Sequence, residues 1–319
     1  MPQPTIDPEI ATFVQTMALA WAAYPPFMTM PLVEARAVAE AVRAPWRAGG
    51  PTMARTREFM APTSTGAVRV RIYDPGVGSP APVLIYLHGG GFTLFSLDTH
   101  DRLMREYAAA GAFLVAGVDY PLSPEARYPL ALDQLVDVVD WLAGPGAADT
   151  GVDPARIAIG GDSAGANLSM AAALRLRDRG NADTLRGMLL NYGAFGAPCS
   201  DASEAAFGGP EALLNRAEVD YYIENYLGAV DAHADDAYAR PCTADLAGLP
   251  PAFLVIPDRD VLAEQSRDMA ERLGKAGVEV EAREYAGATH SFLEAMSISA
   301  LARRAIADGA VWVKAQLTR

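Results

Sequence analysis

One stretch constrains this chain more than any other. Arg156-Ile157-Ala158-Ile159-Gly160 is a short apolar run of strand character, and Ala166 to Arg177 is rich in Ala and Leu and reads as a helix. Between them stands Gly161-Asp162-Ser163-Ala164-Gly165, so a strand hands over to a helix through G-x-S-x-G. Glycines at both ends let neighbouring backbone pack tightly around a strained turn. That turn lifts the Ser163 hydroxyl out of the sheet edge and aims the helix N-terminus at it. Ser163 is the candidate nucleophile, and the free N–H of Ala164 lies where a negative charge would develop.

A hydroxyl nucleophile of this kind needs a histidine base and a carboxylate to orient it, in the chain order Ser, acid, His. The chain has four histidines, His88, His100, His233 and His290, and only the last two follow Ser163. His233 lies in the polar stretch Asp231 to Asp236, with no strand before it. His290 follows the strand-like Val278 to Tyr285 and the turn Ala286 to Thr289, and is the candidate base.

The acid should follow an earlier strand, and Ala252 to Ile256 supplies one. Three carboxylates come after it. Asp260 is preferred, because an amphipathic helix starts at Val261 and places Asp260 at its N-cap. Asp258 is the rival on periodicity alone. Glu264 suits the helix's first turn.

Val83 to Leu87 is a buried strand running into His88-Gly89-Gly90-Gly91. Three consecutive glycines at a strand end fit a backbone that something must approach closely. Two N–H groups from this loop, with that of Ala164, would surround a carbonyl oxygen as it becomes an oxyanion. The bland alternative is a flexible loop without a ligand, and His88 reads as a structural residue holding the loop.

Together with Asp119-Tyr120-Pro121-Leu122-Ser123-Pro124-Glu125, Asp260-x-Leu262 and His290, these motifs resemble the hormone-sensitive-lipase family of α/β-hydrolases, bacterial branch. The similarity runs from about Ala81 to the C-terminus. It is nearest to the bacterial acetyl esterases through Leu97-Asp98-Thr99-His100-Asp101-Arg102, Leu122 to Pro129 and His290-Ser291-Phe292-Leu293. The resemblance implies a triad of Ser163, Asp260 and His290. It also implies oxyanion donors at Gly90, Gly91 and Ala164, with Gly89 shaping the loop. It further implies an α/β-hydrolase fold, a mostly parallel eight-stranded sheet flanked by helices under a helical cap. The substrates implied are short-chain acyl esters, acetyl to about hexanoyl, hydrolysed without metal or organic cofactor. Ala166 and Glu264 stand where many relatives have Gly and Asp, and Pro121 where many have Arg or Thr.

The 319 residues suit one such catalytic core with insertions. A net charge of −13 argues against nucleic acid or an anionic membrane as partner. The two cysteines, Cys199 and Cys242, lack metal-ligand spacing and fit a reducing cytoplasm, with a disulfide between them left open. Ile10 to Met30 carries no charge, yet Asp7 and Glu9 precede it and Pro25, Pro26 and Pro31 interrupt it. It therefore reads as neither signal peptide nor membrane span.

Pro8 to Ala23 and Leu32 to Arg43 read instead as helices, which makes residues 1–50 the first part of a cap. Phe13, Trp21, Tyr24, Phe27, Met28 and Met30 there are candidates for a pocket wall, against the plainer reading of a buried helix face. Val68 to Tyr73 alternates apolar and basic, as an antiparallel edge strand would. Strand 83–88, helix 98–110, strand 112–118, helix 130–143 and the strand before Ser163 then alternate as in a parallel sheet with right-handed crossovers. About sixty residues separate strand Met188 to Tyr192 from the acid strand, too many for a simple crossover. Residues 194–240 are assigned to the second part of the cap, with a helix from Glu211 to Leu227 bearing Tyr221, Tyr222 and Tyr226. The core then comprises 51–193 and 241–319. The partner expected is a small-molecule ester, and a homo-oligomer stays open. Two other readings remain: an amidase or deacetylase on the same scaffold, and a non-catalytic small-ligand binding protein.

Overall fold

A computed structural model describes residues 5–209 and 212–319. Helix α1 (Pro8–Trp21) starts where Asp7 accepts the N–H groups of Glu9 and Ile10 at 3.0 and 3.2 Å, with Pro8 in the first turn. Helix α2 (Leu32–Arg43) follows Pro31. The antiparallel pair β1 (Arg55–Thr63) and β2 (Gly66–Asp74) comes next. Then the chain alternates through β3 (Ala81–Leu87), α3 (Asp101–Gly111), β4 (Leu114–Val118), α4 (Leu130–Leu142), the short α5 (Ala147–Thr150), β5 (Val152–Asp162), α6 (Ala164–Asp178) and β6 (Met188–Asn191). Two helices, α7 (Asp201–Phe207) and α8 (Arg216–Leu227), intervene before β7 (Ala252–Arg259), α9 (Ala263–Lys275), β8 (Val280–Thr289) and α10 (Ala300–Leu317).

The eight strands form one sheet in the order β1-β2-β4-β3-β5-β6-β7-β8. Only β2 runs against its neighbours; every pair from β4 to β8 is parallel. The sheet is therefore the mostly parallel, eight-stranded one expected, flanked by helices. Strands β3, β4 and β6, and β5 from Ile157 onward, are almost wholly buried because helices cover both faces. On one face α4, α6 and α9 pack with Leu132, Leu168 and Met269. On the other, α1, α3 and α10 contribute Phe13, Tyr107 and Trp312. No helix among the described residues is long and apolar enough to cross a membrane.

Three readings need correction. Val68 to Tyr73 lies in β2, which is not the edge: β1 pairs along its whole length, from Arg55 opposite Asp74 to Thr63 opposite Gly66. Strand β1 is half exposed and its apolar alternation is weak, so it leaves little trace in the sequence. The turn expected at 286–289 belongs to β8, which runs through it to Thr289 with a register shift against β7. The second cap helix begins at Arg216, where Asn215 and Glu218 form a reciprocal capping box. Glu211, where that helix was expected to begin, lies outside the described residues, as do residues 1–4 of the first cap segment. Helix α10 had no signal strong enough to be singled out.

Candidate active site

Ser163 sits between β5 and α6 with φ 54° and ψ −115°, a conformation that side chains avoid unless the surroundings impose it. The imposition is visible. A Cβ at Gly165 would collide with the Leu87 carbonyl of the neighbouring strand. The Ser163 N–H is held by Asn191 O at 2.9 Å. The strained turn presents the hydroxyl at the carboxyl ends of the parallel strands, where open α/β sheets gather their sites.

There it meets His290 and Asp260. His290 Nε2 lies 3.0 Å from Ser163 Oγ, and His290 Nδ1 lies 2.7 Å from Asp260 Oδ2. A carboxylate only accepts, so Nδ1 carries the proton and Nε2 faces the hydroxyl as acceptor. Asp260 Oδ1 accepts the Leu262 N–H at 2.9 Å, which fixes the carboxylate. Asp260 is not the N-cap of the following helix: α9 begins at Ala263. The carboxylate is almost fully buried, 1% exposed, against 6% for His290 and 8% for Ser163.

The rival carboxylates have other partners. Asp258 Oδ1 accepts the Gly287 N–H at 2.7 Å and holds β8 where the register shifts. Glu264 lies in the first turn of α9, and its two oxygens accept from the backbone and hydroxyl of Ser200, each at 2.8 Å. His233 stands apart, 3.7 Å from Asp236.

The glycine loop after β3 closes the other side of Ser163. Gly90 and Gly91 have φ 112° and 59°, and a Cβ at Gly91 would enter the Tyr222 ring of α8. Among the described residues the N–H groups of Gly90, Gly91 and Ala164 have no internal acceptor. His88 Nδ1 lies 2.7 Å from the Gly89 carbonyl, and Tyr120 donates to the His88 carbonyl at 2.7 Å. Burial and the neighbouring His100 lower the His88 pKa to about 3, so the ring is neutral.

Behind the loop lies a buried polar array that the sequence motifs did not single out. His100 Nε2 is 3.4 Å from both Asp162 and Glu294, and Arg43 Nη1 is 3.3 Å from Glu294. Burial disfavours the charged His100, but the two carboxylates outweigh it and raise its pKa. Burial alone would raise Asp162; His100 and the Tyr86 hydroxyl, 3.0 Å away, pull it below the ordinary value. The four ionisable residues come from α2, the start of α3, the end of β5 and the segment after β8. Only the folded chain makes them a group.

A cavity of about 320 Å³ opens onto Ser163 and His290. Its wall includes Trp21, Phe27 and Met28 of the N-terminal segment, Leu94 and Phe95 after the glycine loop, and Leu214, Val219 and Tyr222 of the 194–240 segment. Of the aromatics singled out in the sequence, Phe13 is buried in the core and Tyr24 is exposed. Tyr226 is fully buried, stacked on Phe92 with ring centres 3.8 Å apart. Cys199 and Cys242, for which a disulfide was left open, are free thiols. Among the described residues no group of three or more His, Cys, Asp or Glu could hold a metal ion.

The fold has close counterparts. A hyperthermophilic esterase from the archaeon Pyrobaculum calidifontis is 30% identical, with 98% of each chain covered and a TM-score of 0.90. A thermostable carboxylesterase cloned from a metagenomic library is also 30% identical, over 90% of this chain and 98% of that one, with a TM-score of 0.86. A thermostable esterase from Pseudomonas putida is 28% identical over 99% of both chains, with a TM-score of 0.90. A family model described as alpha/beta hydrolase fold matches residues 84–294, the span that holds the glycine loop, the Ser163 turn, Asp260 and His290. The chain belongs to the α/β hydrolase fold family, in its hormone-sensitive-lipase-like branch.

Proposed function

We propose that the protein is a serine carboxylesterase that hydrolyses short-chain acyl esters, acetyl to about hexanoyl, through an acyl-enzyme intermediate. That it is a carboxylic ester hydrolase follows from the family and from the solved relatives, which are esterases. The observation carrying the finer reading is the chain of hydrogen bonds from Asp260 through His290 to Ser163, opening on a small, mostly apolar cavity. At about 320 Å³ the cavity is at the lower end for small-molecule sites, which supports short acyl groups.

Ser163 Oγ attacks the ester carbonyl while its proton passes to His290 Nε2. The carbonyl oxygen gains negative charge beside the N–H groups of Gly90, Gly91 and Ala164, already oriented before the substrate arrives. Asp260 stabilises the imidazolium and keeps its tautomer. His290 then returns the proton to the alcohol, which leaves with the electrons of its C–O bond. A water, deprotonated by the same ring, releases the acid and restores Ser163.

On this reading residues 1–50 and 194–240 form a cap over a core of 51–193 and 241–319, since both segments contribute wall residues to the cavity. The two free thiols suit a cytoplasmic location.

The test is a series of p-nitrophenyl esters of increasing acyl length, wild type beside Ser163→Ala, with the matched amide alongside. Turnover is expected to peak at short chains and to fall at least about ten-thousandfold in the variant. Full activity in Ser163→Ala would remove the nucleophile assignment, and preferential amide cleavage would make the enzyme an amidase.

A further inference from the structure

Two charged side chains, Arg43 and Glu218, reach the wall of the catalytic cavity, and they differ in how their charge is met. Arg43 is buried against Glu294 and over the Phe95 ring, 4.6 Å from its centre. Glu218 Oε2 accepts the Asn215 N–H at 3.0 Å in the capping box of α8, while among the described residues its other oxygen has no hydrogen-bond partner and no cation pairs with it. One turn along the same helix face stands Tyr222. Its ring stacks on Phe27 with centres 5.8 Å apart, and Phe27 lies 5.7 Å from Trp21. Three aromatic rings and one half-satisfied carboxylate thus share the wall beside Ser163.

Ring faces attract a cation through their quadrupole, and more strongly once water is excluded. A carboxylate with a free oxygen supplies the counter-charge. We infer that this cavity selects esters bearing an alkylammonium group, held by Glu218 within the Trp21, Phe27 and Tyr222 rings while the ester carbonyl lies at Ser163. This rests on the esterase reading and names its substrate class. Burial raises the Glu218 carboxyl above its usual value, against the pull of the Asn215 N–H and of His290, and a bound cation would favour its ionised form. The chain's net charge of −13 also draws cations rather than anions to the surface.

The test compares acetylcholine with 3,3-dimethylbutyl acetate, which has the same shape and no charge, by kcat/KM at pH 8 in wild type and Glu218→Gln. Glutamine keeps the capping-box acceptor, so α8 retains its start. The readout is the ratio of the two esters, which cancels any general loss of activity. A wild-type ratio of about ten in favour of acetylcholine, falling toward one in the variant, is expected. Tetramethylammonium chloride should also inhibit hydrolysis of the neutral ester competitively in wild type, where sodium chloride at equal ionic strength does not. A wild-type ratio of one or below with the neutral ester turned over, or a ratio that survives Glu218→Gln, overturns the inference and leaves the esterase reading intact. If neither ester is hydrolysed while p-nitrophenyl acetate is, this inference falls and the esterase reading stands; if p-nitrophenyl acetate is not hydrolysed either, both fall.

Discussion

Arg43, the last residue of α2, places its guanidinium 3.3 Å from the carboxylate of Glu294, four residues beyond His290. Both side chains are buried, at 5% and 2% exposure. The pair therefore joins the N-terminal helices to the loop that carries the proposed base. Through His100, 3.4 Å from both Glu294 and Asp162, the same array reaches the residue before Ser163. A path of charges thus connects the cavity's outer wall with the turn that carries Ser163.

Removing the Arg43 charge should be costly. Losing one partner of a buried pair typically destabilises by about 3–5 kcal/mol. Arg43→Met should lie near the lower end, because burial already raises the Glu294 pKa and that carboxyl can take up a proton instead. A carboxyl raised in the folded state contributes stability below its unfolded value and loses it as pH rises. The deficit of Arg43→Met, measured by urea unfolding, should therefore be larger at pH 8 than at pH 5. A deficit equal at the two pH values would mean that Glu294 stays ionised without Arg43.

His88 predicts an acid-sensitive contribution. Its pKa falls from 6.5 to about 3 on folding. Between those values the unfolded chain binds the extra proton, so the contribution is complete above pH 6.5 and is lost as pH falls. The slope is roughly 1.4 kcal/mol per pH unit within that window. His100 has the opposite sense, since its raised pKa yields stability that fades as pH climbs above 6.5. His88→Asn should flatten the loss of stability between pH 6.5 and 5 relative to wild type. Equal slopes in urea unfolding would assign the acid sensitivity elsewhere.

What could be read from the sequence was what local pattern encodes. The strand, G-x-S-x-G and helix around Ser163 are contiguous, so the turn, its glycines and the parallel alternation around it were legible together. His290 could be reached because few histidines compete and chain order is restrictive. Asp260 and Asp258 could not be separated by periodicity; what distinguishes them is that Asp258 holds Gly287 across the sheet while Asp260 faces His290. The Arg43, Glu294, His100 and Asp162 array was not legible because its members come from separate elements and no spacing announces their meeting. Glu218 carried no signal of its own, because nothing in its spacing marks it as part of the cavity wall.

Asp260→Asn and Asp258→Ala separate the two carboxylates by function. The first should leave the fold intact and lower kcat by about ten-thousandfold, since an amide can donate to Nδ1 and so stabilise the wrong tautomer. The second removes the acceptor for the Gly287 N–H and should lower stability by roughly 1–3 kcal/mol, with kcat changed far less. Steady-state rates on a short-chain ester together with thermal unfolding decide between them. A larger kcat loss in Asp258→Ala than in Asp260→Asn would reverse the assignment.

Gly91 offers a test of how tightly the glycine loop is held against α8. Alanine there must adopt φ near 59° and direct its Cβ into the Tyr222 ring. The backbone part alone costs about 1–2 kcal/mol. The collision adds to it by displacing the loop, and with it the proposed donor N–H. Gly91→Ala should therefore lower kcat by about a hundredfold to a thousandfold, as loss of one oxyanion donor does, with a smaller change in KM. Gly91→Ala combined with Tyr222→Ala gives the new methyl room and should recover part of kcat relative to the single variant. If the double variant is no faster than Gly91→Ala, backbone strain sets the loss, and Tyr222 limits the cavity without positioning the loop.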